Sequence, residues 1–145
     1  MKRIILLTLL CTTTILMAQR INHIQEAIAD YDYETALILI AKEKTTIPLL
    51  LQKGKAQRGL RMNTEALSTY QEIITNDTAN TRAFIEAAEC CRTLANYNQA
   101  LKYYEHALDL NPENKYVRIQ YIGLLLSLQK FQDALGESSL MTEKD

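Results

Sequence analysis

The chain has 145 residues, 48% hydrophobic and 23% charged, which is enough for one ordinary domain with a core of its own. Four Gly and two Pro leave little room for long loops or low-complexity linkers. A formal charge of -1 with no basic run excludes the basic face that a nucleic-acid footprint needs.

Met1-Lys2-Arg3 makes a short positive start, Ile4 to Met17 is apolar apart from Thr8, Cys11 and Thr12 to Thr14, and Ala18 is small. Residues 1–18 therefore read as a secretory signal peptide cleaved after Ala18, and the expected destination is the periplasm or cell envelope of a bacterium. An uncleaved membrane anchor is the alternative, although the apolar run is shorter than the ~20 residues a spanning helix needs. Lipoprotein processing would use Cys11, but Leu10 before it is bulkier than that pattern tolerates. Removing Lys2 and Arg3 leaves 14 basic and 17 acidic residues, a net of -3.

Ile21, Ile24, Ala27, Ile28 and Tyr31 recur at three and four residues and predict an amphipathic helix over 20–31. A second helix follows from Tyr33 and is expected to end near Lys44, before Thr45-Thr46-Ile47-Pro48; Pro48 suits a first helical turn. Further helices are expected at Leu49 to Leu60, at Asn63 to Thr75 with Asn63 as a cap, and at Thr81 to Leu94 and Tyr97 to Leu110. Lys115 to Leu128 and Phe131 to about Met141 complete a count of eight.

Shifting the sequence by 34 residues aligns Leu60, Leu94 and Leu128, then Ala66, Ala100 and Ala134, then Leu67, Leu101 and Leu135. A fixed period of this size signals stacked units, each with an apolar face that only a neighbour can cover. The first unit is irregular, because Ala36 lies 30 residues before Ala66.

The unit 81–114 resembles a tetratricopeptide repeat. Phe84 meets the early aromatic, Ala87 and Ala88 the small pair and Tyr97 the turn aromatic, and Ala100, Tyr104, Ala107 and Pro112 follow; only Cys91 departs, at a tyrosine-like place. The unit 47–80 fits more loosely, with Gly54, Ala66 and Tyr70 in place but Gln57 and Asn63 at apolar or aromatic positions. The unit 115–145 keeps Tyr121, Leu125, Phe131 and Ala134, with Arg118 and Ser138 where large apolar residues sit. The resemblance implies an all-α solenoid of about four stacked antiparallel hairpins: a degenerate one at 19–46, then 47–80, 81–114 and 115–145. It also implies that first helices line an inner surface, at Leu51, Gln52, Lys55 and Arg58, at Arg82, Ile85, Glu86, Glu89 and Arg92, and at Tyr116, Ile119, Gln120 and Gly123. One branch of the family clamps a peptide's terminal carboxylate at such places, but its Lys-Asn pair is missing here.

Other chemistry has weak support. Cys90 and Cys91 are adjacent, with Cα atoms about 3.8 Å apart, below the roughly 4.4–6.8 Å of a disulfide, and both fall at core positions of the repeat. His23 and His106 lie in different repeats and read as surface or boundary residues. Glu86 and Glu89 share one helix face and so cannot act across a cleft as a glycosidase pair. They read as a solvated face salt-bridged to Arg82 and Arg92. Tyr104 falls in the core column and Tyr103 beside it. Asn76-Asp77-Thr78 matches a glycosylation acceptor by chance.

The expected function is non-catalytic: a scaffold or adaptor binding a protein or peptide through Lys55, Arg58, Arg82, Glu86, Glu89, Arg92 and Tyr116, with no metal and no cofactor. A membrane is met only through the leader if it is uncleaved. The alternatives are self-association through the last helix, whose Leu135, Leu140 and Met141 have no following helix to cover them, and a place as the front part of a longer envelope protein.

Overall fold

A computed structural model describes residues 18–142. The expected leader, with Cys11, lies outside the described residues except for Ala18. Eight helices are described: α1 at residues 18–29, α2 (Tyr33–Ile40), α3 (Ile47–Gly59), α4 (Asn63–Asn76), α5 (Thr81–Thr93), α6 (Tyr97–Leu110), α7 (Lys115–Ser127) and α8 (Phe131–Thr142). No strand occurs among the described residues. The helices fall into two units, α1–α3 and α4–α8, with the boundary after Met62.

The helix ends follow from capping chemistry repeated at the 34-residue period. Thr46, Asn80 and Asn114 are the N-caps of α3, α5 and α7, and their side-chain oxygens accept from the amides of Leu49 at 3.4 Å, Ala83 at 3.1 Å and Val117 at 3.1 Å. Asp32 caps α2 in the same way, accepting from the Thr35 amide at 3.1 Å. Hydrogen bonds from Thr35 hold its carboxyl below the usual range.

The first helix of every hairpin ends alike. Tyr31, Arg61, Ala95 and Gln129 have φ of 61°, 61°, 58° and 59°. The amide after each reaches back five residues, Asp32 to Ala27 at 2.8 Å, Met62 to Gln57 at 2.9 Å, Asn96 to Cys91 at 2.8 Å and Lys130 to Leu125 at 2.9 Å. This is the Schellman closure, which satisfies carbonyls the helix leaves open. None of the four residues is glycine, so each carries a left-handed strain of about 1–2 kcal/mol.

Three expected boundaries shift. The helix expected from Leu49 begins at Ile47, because Thr46 caps it and Pro48 fits its first turn. Asn63 is the first residue of α4 rather than a cap before it. The second helix of the opening hairpin stops at Ile40, four residues short of Lys44, because the chain turns at residues 41–43 with main-chain bonds from Lys42 to Leu39 and from Glu43 to Ile40.

The α1–α3 core holds Ile24, Ile28, Ala36, Ile40 and Ala56. Gly59 lets α3 approach the Tyr33 ring, since a Cβ there would lie 2.1 Å from the ring's Cε2. In α4–α8 a larger core joins Phe84, Leu101, Tyr104, Val117, Tyr121 and Leu125. The alanine column is buried in both units, with Ala36, Ala66 and Ala100 at 0% exposure and Ala134 at 3%. Cys90 and Cys91 are both buried and form no disulfide, as their core positions predict.

Polar residues at apolar repeat positions find polar partners. Arg118 is buried, pairs with Glu137 and donates from Nη2 to the Pro112 carbonyl at 2.7 Å. Tyr121 donates to Glu105 Oε1 at 2.5 Å, and burial, followed by that carboxylate, pushes its phenol pKa upward.

Candidate functional site

The seven residues predicted to contact a partner divide between the two units. Lys55, exposed, and Arg58, half-buried, stand on α3. Arg82, Glu86, Glu89 and Arg92 stand on α5 and Tyr116 on α7, so only these five can be read together.

Within the second unit, Glu89 is not part of a solvated face. It is 7% exposed, and both of its oxygens are taken, one by the Tyr104 hydroxyl at 2.5 Å and the other by Arg92 Nη2 at 2.7 Å. The physical reason is that Tyr104 sits in the core column of α6 with a hydroxyl that needs an acceptor when buried, and Glu89 supplies it. Burial, followed by the Glu89 contact, pushes the Tyr104 phenol pKa up. The bond from Arg92 to Glu89 raises the pKa of the guanidinium in turn. Glu89 and Tyr104 thus act as a bracket that fixes the direction of Arg92, whose side chain stays 47% exposed.

Arg92 lines a cavity of about 450 Å³ with Tyr97, Gln120, Gly123, Leu124, Ser127 and Leu128. Gly123 opens its floor, since a Cβ there would meet nothing within 4 Å. Tyr116 and Ile119 continue the same side of α7 and are 57% and 53% exposed. Arg82 is exposed and Glu86 half-buried on α5. The arrangement offers an oriented cation, amide and hydroxyl groups and an open apolar surface, which suits holding a peptide rather than moving a proton or attacking a carbonyl.

Tyr97 and Ser127 are site residues that the sequence reading did not single out. Tyr97 fits the turn aromatic of the repeat, and it is 42% exposed in the cavity that the small residues Ser127 and Gly123 also line. Of the histidines, His23 pairs on the surface with Glu26 at 3.3 Å, and exposed His106 tilts over Phe84 with ring centroids 5.3 Å apart. Among the described residues, no group of three His, Cys, Asp or Glu is placed to hold a metal, and no helix is long and apolar enough to cross a membrane.

The sequence profile of the family described as Tetratricopeptide repeat matches residues 94–137. A tetratricopeptide repeat protein from Parabacteroides merdae superposes with a TM-score of 0.78 at 21% identity, covering 88% of this chain and 54% of that one. The fold is that of tetratricopeptide repeat proteins. The structure of Naa15/Naa10 bound to HypK-THB matches this chain with a TM-score of 0.70 at 18% identity, over 87% of it but only 20% of the larger chain. The first repeat domain of Spaghetti (RPAP3), bound to the HSP90 peptide SRMEEVD, matches with a TM-score of 0.70 at 18% identity, over 74% of this chain and 89% of that one. This chain thus spans about half the length of the first of these relatives and about a fifth of the second. No curated protein matches it in sequence.

Proposed function

We propose that this tetratricopeptide chain is a non-catalytic scaffold of the bacterial cell envelope, exported by its leader, that holds a segment of a protein partner along α5 and α7. The observation that carries the reading is the cavity in which bracketed Arg92 faces open Gly123, with exposed Tyr116 and Ile119 continuing along α7. Arg92 and Arg82 would meet carboxylates or main-chain carbonyls of the segment, Tyr116 and Ile119 its apolar side chains, and Glu86 a basic group. Similar folds that hold an HSP90 peptide and HypK support a peptide or protein ligand.

The test is capture of partners by the full chain from the envelope fraction, compared with Gly123→Leu and Tyr116→Ala. Gly123→Leu fills open space without touching the core, so it should abolish capture while leaving the helical signal and melting temperature intact. Capture unchanged in both variants would refute the reading. The SRMEEVD peptide should not bind, because the Lys-Asn clamp is missing.

One observation favours a second reading. Phe131, Leu135 and Leu140 of α8 are 61%, 66% and 49% exposed, whereas Leu101, one repeat before Leu135, is 5% exposed. Self-association through α8 would cover them. Light scattering across a concentration range would then show a dimer, insensitive to reductant, that Leu135→Lys disperses.

A further inference from the structure

The opening hairpin is shorter than the others, and the shortening leaves a pocket. α2 has 8 residues where α4 and α6 have 14 each, so about a turn and a half of helix is missing. A cavity of about 270 Å³ lies at that end, lined by Ile40 and Ala41 of the α2 terminus, Glu43 and Thr45 of the connection, and a row of α3 residues. That row is Leu49, Leu50, Lys53 and Gln57. One repeat later the same places hold Ala83, Phe84, Ala87 and Cys91, and two repeats later Val117, Arg118, Tyr121 and Leu125, all of them buried.

In those later hairpins the last turns of α4 and α6, residues 71–76 and 105–110, pack against the next helix and bury Ile73, Ala107 and Leu108. The pocket is the vacated place of such a segment. Its charges are arranged for an incoming group. Glu43 is held by Arg20 at 3.3 Å with its side chain 9% exposed, so its charge is answered within the unit. Lys53 lines the same pocket on α3. It takes part in no ion pair described for this unit and is the cation left to meet an anion. In α6 the corresponding segment is Glu105-His106-Ala107-Leu108-Asp109-Leu110, with acidic groups on either side of its apolar pair.

We propose that this pocket receives a helical turn of a protein partner, in which two adjacent apolar side chains replace those missing from α2 and a flanking carboxylate meets Lys53. The apolar pair would rest on Leu49, Leu50 and Ile40, and burying it would supply most of the affinity. The contact is separate from the cavity of the second unit and does not rest on the reading given for that cavity.

The experiment uses the full chain and a labelled peptide with the sequence ALKYYEHALDL, residues 100–110 of this protein, followed by fluorescence anisotropy. Saturable binding is expected at or below about 1 mM, with a scrambled peptide inert. Lys53→Glu should weaken it about tenfold through charge reversal, and Ala41→Phe should block it by filling the pocket, while Arg82→Ala on α5 should leave it unchanged. Absence of saturable binding, or equal binding by wild type and Lys53→Glu, would overturn the proposal. So would a concentration-dependent dimer that Ala41→Phe converts to monomer, since that outcome assigns the pocket to a second copy. Should Ala41→Phe fail to fold, Lys53→Glu and the scrambled peptide decide alone.

Discussion

The two units use the same helix ends to different effect. Both carry Schellman closures at fixed places, with Tyr31 and Arg61 in the first and Ala95 and Gln129 in the second, and both bury their alanine column. In the second, long second helices reach the next helix and fill its core places, and buried polar groups such as Glu89, Tyr104 and Arg118 are matched in pairs. In the first, α2 stops early, so Lys53 and Gln57 line a pocket at places where the second unit has core. The turn aromatics differ in the reverse sense. Tyr33 packs on Gly59, while Tyr97 stands half-exposed beside Ser127. Period and capping thus set where helices start and stop, while helix length and side-chain size decide which unit is filled and where it is open.

The comparison is broken most directly at Tyr104. Tyr104→Ala should cost about 3–5 kcal/mol, because it empties a core position and strands a buried carboxylate. Hydrogen exchange measured by region should then show loss of protection across residues 63–142, and a loss confined to residues 18–62 would contradict the place of Tyr104 in the α4–α8 core. Arg118 gives the next effect. Arg118→Ala should cost about 2 kcal/mol by leaving Glu137 unpaired, whereas Arg118→Met combined with Glu137→Leu, which replaces both partners by apolar side chains, should stay within about 1 kcal/mol of the parent in urea unfolding.

A third effect is read by pH. The Tyr104 and Tyr121 phenols are both pushed above their ordinary value of 10.0. The unfolded chain therefore loses these protons first, and the stability they contribute is complete below pH 10.0 and falls as the pH rises above it towards the folded values. Melting temperature followed from neutral to strongly alkaline pH should show this decline, and Tyr104→Phe should flatten it. The smallest effect tests what the units share. Ala95→Gly and Arg61→Gly should each gain about 0.5–1 kcal/mol by relieving left-handed strain. Equal gains would confirm that one closure serves both units, and a gain at Ala95 alone would show that the first unit relaxes there in solution.

Much of this was legible in the sequence. The 34-residue shift that aligns Ala66, Ala100 and Ala134 also spaces the caps Thr46, Asn80 and Asn114, so eight helices and most of the core follow from periodicity. The interval of 30 residues between Ala36 and Ala66 marks the opening unit as irregular but does not mark the pocket it leaves, because a void depends on what fails to reach it. Glu89 was misread for a related reason. Its place in the sequence suggests a solvated face, and its burial depends on Tyr104, fifteen residues later on another helix. The openness around Arg92 depends on the smallness of Gly123 and Ser127, which carry no pattern of their own.

Cys90 and Cys91 sit side by side at 0% exposure in α5, and burial pushes the Cys91 thiol pKa up. A thiol reagent added to the folded protein therefore has to wait for this part of the molecule to open before it can react at either sulfur. The pace of labelling at these two sites is a built-in clock for excursions of the second unit. It runs without any engineered probe, and any ligand that grips α5 should slow it.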